Sequence, residues 1–506
     1  MLRKLMWVFL VAVLLCPAGL NQAAAQDGGI AFTTYVNENA GITAPVPEGW
    51  AESTGGVFSR YDNAAYLEVT MLPPVPLAEL MVQYTGSLGI ESFPEPSESV
   101  TTVHTTWDIY SFTGTPPSIG EALAVLVGIA ETEAGTMWVG LYTSPDEAAE
   151  MRELVFDPVL EGTRPLAADE YSPVPYEREI VAIPSVEGVV LSGTLTLPGT
   201  SGPHPAVVLI SGSGASDRDE SLMPAAELKP FYLIADYLTR EGIAVLRYDD
   251  RGVGQSSGNH VAATSADFAD DAGAVVAYLQ TRDDINPAQV GVLGHSEGGL
   301  IAAMLAARDP NVAFVISLAG PTVSGTEILL LQNELILAAM GLPPSMIEDE
   351  LANLQTSIDY VLADDRAGLE AFIGDLIDEQ APGLPADQRE QLIATQVETV
   401  FNPWMKFFYA YDPGPDWAQV TVPVLAFFGG LDLQVDAQQN AGPLENAMAE
   451  ANNADVRILY LENANHLFQA AKTGAPSEYG ELAQEFVPEL LPEIGGWLLE
   501  HVEIAQ

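Results

Sequence analysis

The stretch GVLGHSEGGLIAAMLAA, residues 291–307, decides how the larger part of this chain folds. It opens in a short apolar run, typical of a buried strand, and closes in small residues and leucines at helical spacing. Between the two lies Gly294-His295-Ser296-Glu297-Gly298. A serine on so tight a strand-to-helix turn enters a sparsely populated backbone region, at a cost of about 1–3 kcal/mol. Glycines two residues before and after avoid a collision of side chains, so the stretch predicts a serine held above a sheet edge.

Apolar strands alternate with helices on both sides of this turn. Strands without polar alternation, each followed by a helix, predict a parallel sheet covered on both faces. Two alternating strands around Glu187-Gly188 precede them as a hairpin. The predicted strands are 206–210, 243–248, 290–293, 312–318, 422–428 and 456–461, and the predicted helices are 231–240, 266–281, 300–308 and 481–501. The fold class is therefore α/β, with a doubly wound, mostly parallel sheet over residues 178–506.

A mostly helical insertion, residues 322–417, interrupts that order after about the sixth strand. An insertion over the carboxyl edge of a parallel sheet usually roofs a ligand pocket. Its last part, Trp404-Met405-Lys406-Phe407-Phe408-Tyr409, is rich in aromatic residues. Most of its apolar residues are expected to pack between helices, and as a group they predict a cap suited to a modest apolar group.

Residues 27–165 have a different pattern. Short alternating stretches such as 42–47 predict strands, and Ser144-Pro145-Asp146-Glu147 is a favourable helix start, which together predict a small α+β domain with an antiparallel sheet. The layout of its opening, in which an alternating stretch reaches Val46-Pro47-Glu48-Gly49-Trp50, resembles the PsbP/Mog1 type of small domain. Residues 166–177, rich in proline and polar groups, are predicted to be a linker.

The first 25 residues have the pattern of a cleavable export signal. Arg3-Lys4 precedes the apolar run Leu5–Leu15, and Ala23-Ala24-Ala25 offers a cleavage site. Because the run is short and a bilayer crossing needs about 20 apolar residues, no stable membrane insertion is expected. An uncleaved anchor and a lipid on Cys16 are the alternatives. Cys16 is the one cysteine of the chain, so removal of this segment would leave no disulfide and no cysteine chemistry.

The charge of the chain bears on its partners. Asp and Glu number 70 against 18 Lys and Arg, which gives a formal net charge of −52. Such a field repels nucleic acid and anionic membrane surfaces, so neither is expected as a partner. Both a well-solvated surface and adaptation to a saline medium, in which salt screens the self-repulsion, are consistent with it. The sequence indicates no metal site and no cofactor, and it does not indicate the oligomeric state.

A serine hydroxyl becomes a good nucleophile only when a base takes its proton. The base is expected in the loop after the last strand of the sheet, and among the six histidines His466 has that position. A carboxylate must hold the tautomer of the imidazole. Asp432 follows the penultimate strand, in FFGGLDLQV, while the alternative, Asp436, has the position of a helix cap. The predicted catalytic residues are therefore Ser296, Asp432 and His466.

Backbone amides are expected to stabilise the oxyanion that forms when a carbonyl is attacked. The amide of Glu297, at the start of a helix, is the first predicted donor. The second is expected in Ser211-Gly212-Ser213-Gly214, where a strand ends, with Ser213 preferred and Gly212 as the alternative. The adjacent Asp217-Arg218-Asp219 is expected to shape this loop and lacks the neighbours of a metal site.

Five segments carry a resemblance to a known family, in the order SGSGASDRDE, LRYDDRGVGQS, GHSEGG, GGLD and NANH. Together they resemble the acyl esterases of the α/β-hydrolase superfamily, and most of all its serine-aminopeptidase-like and dienelactone-hydrolase-like branches. The likeness covers residues 178–503 and departs from many relatives at Ser211, where they have histidine. It implies hydrolysis of a small-molecule carboxylic ester through an acyl-enzyme, without a cofactor, and leaves the acyl group open.

Two other functions stay open at this point. The same triad would serve a peptidase or amidase if an acidic pocket, supplied by Glu297 or by the acidic residues of the cap, received the amine of the substrate. A non-catalytic binding protein, with residues 27–165 as its functional part, is the third hypothesis, and the complete triad argues against it. The turn at residues 249–256 is expected to be fixed by an ion pair and to have no part in catalysis.

Overall fold

The computed structural model describes residues 30–505, except for residues 53–55, 73–80, 82–84, 86–87, 117–121, 133–134, 168–169 and 223–227. The predicted export signal, residues 1–25, lies outside the described residues. Within the described ranges, no helix combines the length and the apolarity that a membrane crossing requires.

The amino-terminal unit is an α+β arrangement with antiparallel sheets, as predicted. Its strands are β1 (Phe32–Asn37), β2 (Ile42–Pro47), β3 (Ala51–Glu52), β4 (Val57–Ser59), β5 (Ala65–Leu72), β6 (Glu98–Thr101), β7 (Thr106–Gly114), β8 (Leu123–Thr132), β9 (Gly135–Thr143) and β10 (Arg164–Pro165). Strands β3 to β9 form one sheet in the order β3-β4-β5-β9-β8-β7-β6, and β1, β2 and β10 form a smaller one. The helical segment that follows β9 comprises α1 (Ala148–Met151), a π-helical turn (Arg152–Phe156) and α2 (Asp157–Gly162).

Part of the predicted linker is tied to this unit. Strand β10, immediately before it, pairs with Thr43 and Ile42 of β2. The amide of Leu166 donates to the carbonyl of Gly41 over 2.8 Å. The last two linker residues, Tyr176 and Glu177, already belong to the first strand of the next sheet. The two ends of the predicted linker are therefore hydrogen-bonded to the units on either side of it.

The second unit is built around an eight-stranded sheet within the described part of the chain. Its strands are β11 (Tyr176–Pro184), β12 (Val190–Pro198), β13 (His204–Ile210), β14 (Ala244–Tyr248), β15 (Ile285–His295), β16 (Val315–Leu318), β17 (Val424–Gly429) and β18 (Val456–Leu461). The order is β11-β12-β14-β13-β15-β16-β17-β18, with β11 and β12 antiparallel to their neighbours and the remainder parallel. Every residue of β13, β14, β16 and β17 is buried, so helices must cover both faces.

The helices of this unit alternate with the strands, and a group of them interrupts the order after β16, the sixth strand of the sheet. They are α3 (Pro230–Arg240), α4 (Ser265–Gln280), α5 (Glu297–Arg308), α6 (Gly325–Ala339), α7 (Pro344–Leu362), α8 (Arg366–Gln380), α9 (Ala386–Val400), α10 (Pro403–Ala410), α11 (Gly414–Trp417), α12 (Ala437–Glu450) and α13 (Leu490–His501). Helices α6 to α11 are the predicted insertion at residues 322–417. The parallel strands bring the loops after β13, β15, β17 and β18 to one edge of the sheet.

The closing helix is shorter than the sequence pattern predicts. Residues 481–501 were expected to be helical throughout, but α13 begins at Leu490. Pro488 disfavours the helical conformation at the residue before it. That residue, Val487, is buried and its amide donates to the carbonyl of Phe468 over 2.8 Å. A tertiary contact thus replaces the first half of the expected helix.

Candidate active site

Ser296 lies at the junction of β15 and α5, with backbone angles of φ 52° and ψ −122°. A positive φ is uncommon for any residue other than glycine and persists only where the surroundings determine it. Here the amide of Ser296 donates to the carbonyl of Leu318 over 2.8 Å, and its carbonyl accepts from Gly299 over 2.9 Å. The neighbouring strand and the first turn of the helix therefore fix the strained residue from both sides.

The two glycines of the turn are required by close backbone contacts. A Cβ on Gly294 would lie 1.9 Å from the carbonyl oxygen of Gly298, and a Cβ on Gly298 would lie 2.0 Å from that of Ile210. Neither neighbour is a flexible side chain, so a larger residue could not be accommodated without moving the turn. The spacing of Gly294 and Gly298 around Ser296 thus has a direct steric cause.

Asp432 and His466 form a hydrogen-bonded pair at the ends of β17 and β18. His466 Nδ1 donates to Asp432 Oδ2 over 2.8 Å, and Asp432 is only 3% exposed. The other carboxylate oxygen, Oδ1, accepts from the amides of Gln434 at 2.7 Å and Val435 at 2.9 Å. This fixes the carboxylate and the Nδ1–H tautomer, and it leaves Nε2 of His466 as the ring nitrogen that can accept a proton.

Asp436, the alternative to Asp432, is a helix cap. Asp436 Oδ1 accepts from the amide of Gln439 over 2.8 Å and so caps the start of α12.

Among the described residues, no hydrogen bond joins the hydroxyl of Ser296 to His466. Catalytic hydrogen bonds are often long before substrate binds and tighten in the complex.

His295, next to the serine, supports the loop that carries the predicted base. Its Nε2 donates to the backbone carbonyl of His466 over 3.0 Å, and the two rings lie 4.9 Å apart. Its Nδ1 lies 2.8 Å from Oε1 of Glu220. Burial lowers the pKa of His295, but the Glu220 carboxylate and the carbonyl of His466 outweigh it, so the net shift is upward. His295 therefore connects the turn at Ser296 with the loop at His466.

The loop after β13, residues 211–216, lies directly against Ser296. A Cβ on Gly212 would be 3.2 Å from the Cβ of Ser296. The amide of Gly212 donates to Glu220 Oε1 over 2.7 Å, so it is not free to bind an oxyanion as the sequence alternative supposed. The two ends of the loop are held by Asp250, which accepts from the hydroxyl of Ser211 over 2.7 Å and from the amide of Ser216 over 3.0 Å. Ser213 is left at the centre of this fixed loop.

In comparisons with known proteins, the second unit is similar in sequence to hydrolases. Residues 228–366 match the family described as serine aminopeptidase, S33. Over 314 residues the chain is 29% identical to esterase EstD of Thermotoga maritima, which covers 61% of this chain and 66% of EstD. Over 154 residues it is 30% identical to 2,6-dihydropseudooxynicotine hydrolase of Paenarthrobacter nicotinovorans, covering 30% of this chain and 37% of that protein. The chain thus matches about two thirds or less of the length of these curated relatives.

The strand order, the strained turn after β15 and the sequence matches agree on one fold. The second unit has the α/β-hydrolase fold. Among solved structures, an esterase of Pyrococcus furiosus aligns with a TM-score of 0.40 and 14% identity, covering 65% of this chain and 95% of that one. A dienelactone hydrolase of Anabaena variabilis aligns with a TM-score of 0.35 and 17% identity, covering 65% and 100%. We refer to residues 178–505 below as the hydrolase unit.

The side chain of Glu297 is enclosed in the hydrolase unit. It is 2% exposed and accepts from the hydroxyl of Ser265 over 2.6 Å and from Nε1 of Trp404, in helix α10 of the insertion, over 2.8 Å. Burial raises the pKa of Glu297, while hydrogen bonds from Ser265, Trp404 and Ser213 act against that rise. The carboxylate therefore connects α5, to which Glu297 belongs, with the start of α4, the insertion and the 211–216 loop, while the backbone amide of Glu297 begins α5.

Buried ion pairs fix the turn at residues 249–256, as expected from the sequence. Arg218 binds Asp249 through Nη2 at 2.6 Å and Nε at 3.0 Å. Arg251 binds Asp271 at 2.6 Å. Glu220 could not be recognised as a site residue from the sequence, because its contacts with Gly212 and His295 depend on tertiary structure. Its one signal is its place at the end of the SDRDE run.

Asp217, which directly follows the 211–216 loop, provides a pH-dependent test of stability. Its Oδ1 accepts from the amides of Asp219 at 3.0 Å and Ser221 at 2.9 Å. Burial and the negative charge of Asp219 raise its pKa to about 6, from 3.8. Between these two values the folded state binds more protons than the unfolded state, so ionisation of Asp217 destabilises the fold as the pH rises through about 6.

We therefore expect Asp217→Asn, which keeps the accepting oxygen, to raise the free energy of unfolding at pH 8. The expected gain is on the order of 1–3 kcal/mol, and it should be nearly absent at pH 4, below the window. Urea unfolding at both pH values measures it, with the exposed Asp283→Asn as the control of equal charge. An equal gain at both pH values would contradict the assignment.

Proposed function

We propose that this chain is a serine hydrolase that cleaves carboxylic esters of small molecules. Ser296 is the nucleophile, His466 the general base and acid, and Asp432 the group that orients His466. The amides of Glu297 and Ser213 stabilise the oxyanion. The observation that carries the proposal is the left-handed Ser296 at the β15–α5 junction, on the same sheet edge as the hydrogen-bonded pair Asp432–His466.

The reaction follows from these groups in two halves. His466 Nε2 takes the proton of the Ser296 hydroxyl as its oxygen attacks the ester carbonyl, and the two amides bind the oxyanion that forms. His466 then gives the proton to the leaving alcohol, and the acyl group stays on Ser296. Water, deprotonated by His466, attacks the acyl-enzyme, and the released serine regains its proton from His466. Asp432 stabilises the imidazolium in both halves without becoming protonated.

The environment of Glu297 favours an ester over a peptide with a free amino terminus. An aminopeptidase of this type needs a carboxylate that receives the substrate amine. Glu297 is the acidic residue nearest the nucleophile in sequence, but it is buried and already accepts hydrogen bonds from Ser265 and Trp404. The name of the relative EstD supports the same choice, whereas the family description "serine aminopeptidase" keeps the amidase as the second candidate.

The expected substrate profile separates the two candidates. We expect turnover of p-nitrophenyl esters, with kcat/KM changing along the series from acetate to octanoate and so reporting the size of the acyl site. L-Alanine p-nitroanilide is expected to be cleaved no faster than its N-acetyl derivative, because the carboxylate of Glu297 is already bound by Ser265 and Trp404. A free-amine anilide cleaved at least about 100-fold faster than its acetylated form would favour the aminopeptidase, since an unpaired polar contact discriminates by that much or more.

We also propose that the enzyme is exported. The proposal rests on the charged start, the apolar run Leu5–Leu15 and the small residues Ala23–Ala25. Amino-terminal sequencing of protein recovered from the medium or periplasm of an expressing cell should find a chain that begins near Gln26. A chain that stays in the cytoplasm with its first residues intact would contradict the proposal.

A further inference from the structure

The turn between β1 and β2, residues 38–41, contacts the hydrolase unit close to its candidate active site. Asn39 Nδ2 donates to Asp219 Oδ2 over 2.6 Å, and the carbonyl of Asn39 accepts from Arg218 Nη1 over 3.3 Å. Beside it, Glu38 accepts from Arg178 Nη1 of β11 over 2.5 Å. One short turn of the amino-terminal unit is therefore bound to three side chains of the hydrolase unit.

The two partners of Asn39 are buried and charged. Arg218 and Asp219 are 1% and 2% exposed. Arg218 binds Asp249, and Asp219 binds Arg247 through a second buried ion pair. A buried carboxylate oxygen requires hydrogen-bond donors in place of water, and Asn39 supplies one to Asp219 Oδ2. The contact of Asn39 with Arg218 and Asp219 is thus part of a buried hydrogen-bond network and is more than a surface contact between the two units.

Glu220, the residue that follows Asp219, connects several parts of the candidate site. Glu220 has a positive φ of 52°, although it is not glycine, and it is buried. Its Oε1 accepts from the amide of Gly212 at 2.7 Å and pairs with His295 Nδ1 at 2.8 Å. His295 in turn donates to the carbonyl of His466. The carboxylate of Glu220 therefore contacts the 211–216 loop directly, and it is connected to the loop at His466 through His295.

The strained backbone at Glu220 persists only if its neighbours are held in place. On its amino-terminal side, Asp219 is held by Asn39, by Arg247 and by its own backbone, whose carbonyl accepts from Phe231 over 3.1 Å and whose amide donates to Asp217. Asn39 is the contributor from outside the hydrolase unit. Loss of its amide would remove the hydrogen-bond donor 2.6 Å from Asp219 Oδ2 and leave that buried oxygen with the more distant ammonium of Lys229, at 3.9 Å, next to the strained residue.

We propose that Asn39 is a positioning residue of the active site, acting through Asp219 and Glu220, and that the amino-terminal unit is thereby required for full turnover. It holds the Glu220 carboxylate where that group fixes the amide of Gly212 and the ring of His295. The oxyanion loop and the His466 loop then keep their positions relative to Ser296. This gives residues 30–165 a task in catalysis that is separate from any binding function of their own.

The kinetic test uses the full chain and rests on the proposed ester hydrolysis. For Asn39→Ala we expect kcat to fall on the order of 10-fold with KM little changed, because displacement of preorganised groups lowers the rate after substrate is bound. Asn63→Gly, at an exposed asparagine of the same unit with φ 56°, is the control and should keep the kcat of the parent. Assays are made well below the melting temperature of each variant.

A double-mutant cycle distinguishes positioning from loss of stability. Glu220→Gln is expected to lower kcat more than Asn39→Ala does, and the double variant should resemble Glu220→Gln alone, because Asn39 acts through Glu220. Effects that multiply, or an Asn39→Ala variant with the kcat of the parent, would overturn the proposal.

Amide hydrogen exchange gives a readout that does not need activity. In Asn39→Ala we expect faster exchange at residues 211–216, where the Gly212 amide is bound by Glu220, and no change there in Asn63→Gly. Unchanged exchange in Asn39→Ala would overturn the positioning role. If the parent protein shows this coupling but hydrolyses no ester, the proposed function fails and the link between the two units stands.

Discussion

Ser296→Ala is expected to abolish ester hydrolysis and covalent labelling by a fluorophosphonate. Alanine retains the Cβ but lacks the attacking oxygen, so no acyl-enzyme can form. Loss of the nucleophile in a serine hydrolase lowers kcat by about 10⁴- to 10⁶-fold. Because the hydroxyl makes no hydrogen bond with another described residue, the fold should be preserved, and thermal unfolding should give the melting temperature of the parent within a few degrees.

The measurement pairs stopped assays with labelling of intact protein, followed by mass spectrometry. Ser345→Ala, at an exposed serine of the insertion, is the matched control and should label at the rate of the parent. Labelling that persists in Ser296→Ala would place the nucleophile elsewhere. A folded parent protein that never labels would favour the non-catalytic binding protein.

The local features of the hydrolase unit could be predicted from sequence because their causes are local. The turn around Ser296 can be recognised from Gly294 and Gly298, because a Cβ added to either glycine would lie within 2.0 Å of a backbone oxygen. Apolar strands followed by helices define a parallel sheet, and the carboxyl ends of parallel strands meet at one edge. For that reason Asp432 and His466, 34 residues apart, could be predicted as partners before their hydrogen bond was seen.

The supports of the site were not predictable, because they depend on contacts between distant segments. Glu220 is 75 residues from His295, and Asn39 is 180 residues from Asp219. A left-handed glutamate has no marker in the sequence, so the sequence leaves Gly212 open as an oxyanion donor, although Glu220 binds its amide in the structure. The closing helix was predicted too long for a related reason, since burial of Val487 is a tertiary effect.

Asp432→Asn is expected to reduce kcat by about 10³- to 10⁴-fold while leaving the protein folded. Asparagine can still accept from the amides of Gln434 and Val435 through Oδ1. Its amide group, however, would donate to Nδ1 of His466, where the carboxylate accepts. The imidazole would then carry its proton on Nε2, and this tautomer cannot take the proton of Ser296.

Asp436→Asn is the control, because it makes the same change four residues away. Asp436 caps α12, and asparagine is an equally good helix cap, so kcat should change by less than about twofold. Steady-state kinetics and the rate of fluorophosphonate labelling should fall together in Asp432→Asn, since both need a deprotonated serine. A reversal, with Asp436→Asn inactive and Asp432→Asn active, would transfer the orienting role to the cap residue. Equal loss in both variants would indicate that the α12 loop moves as a whole, and the Asp432–His466 hydrogen bond would no longer explain the activity.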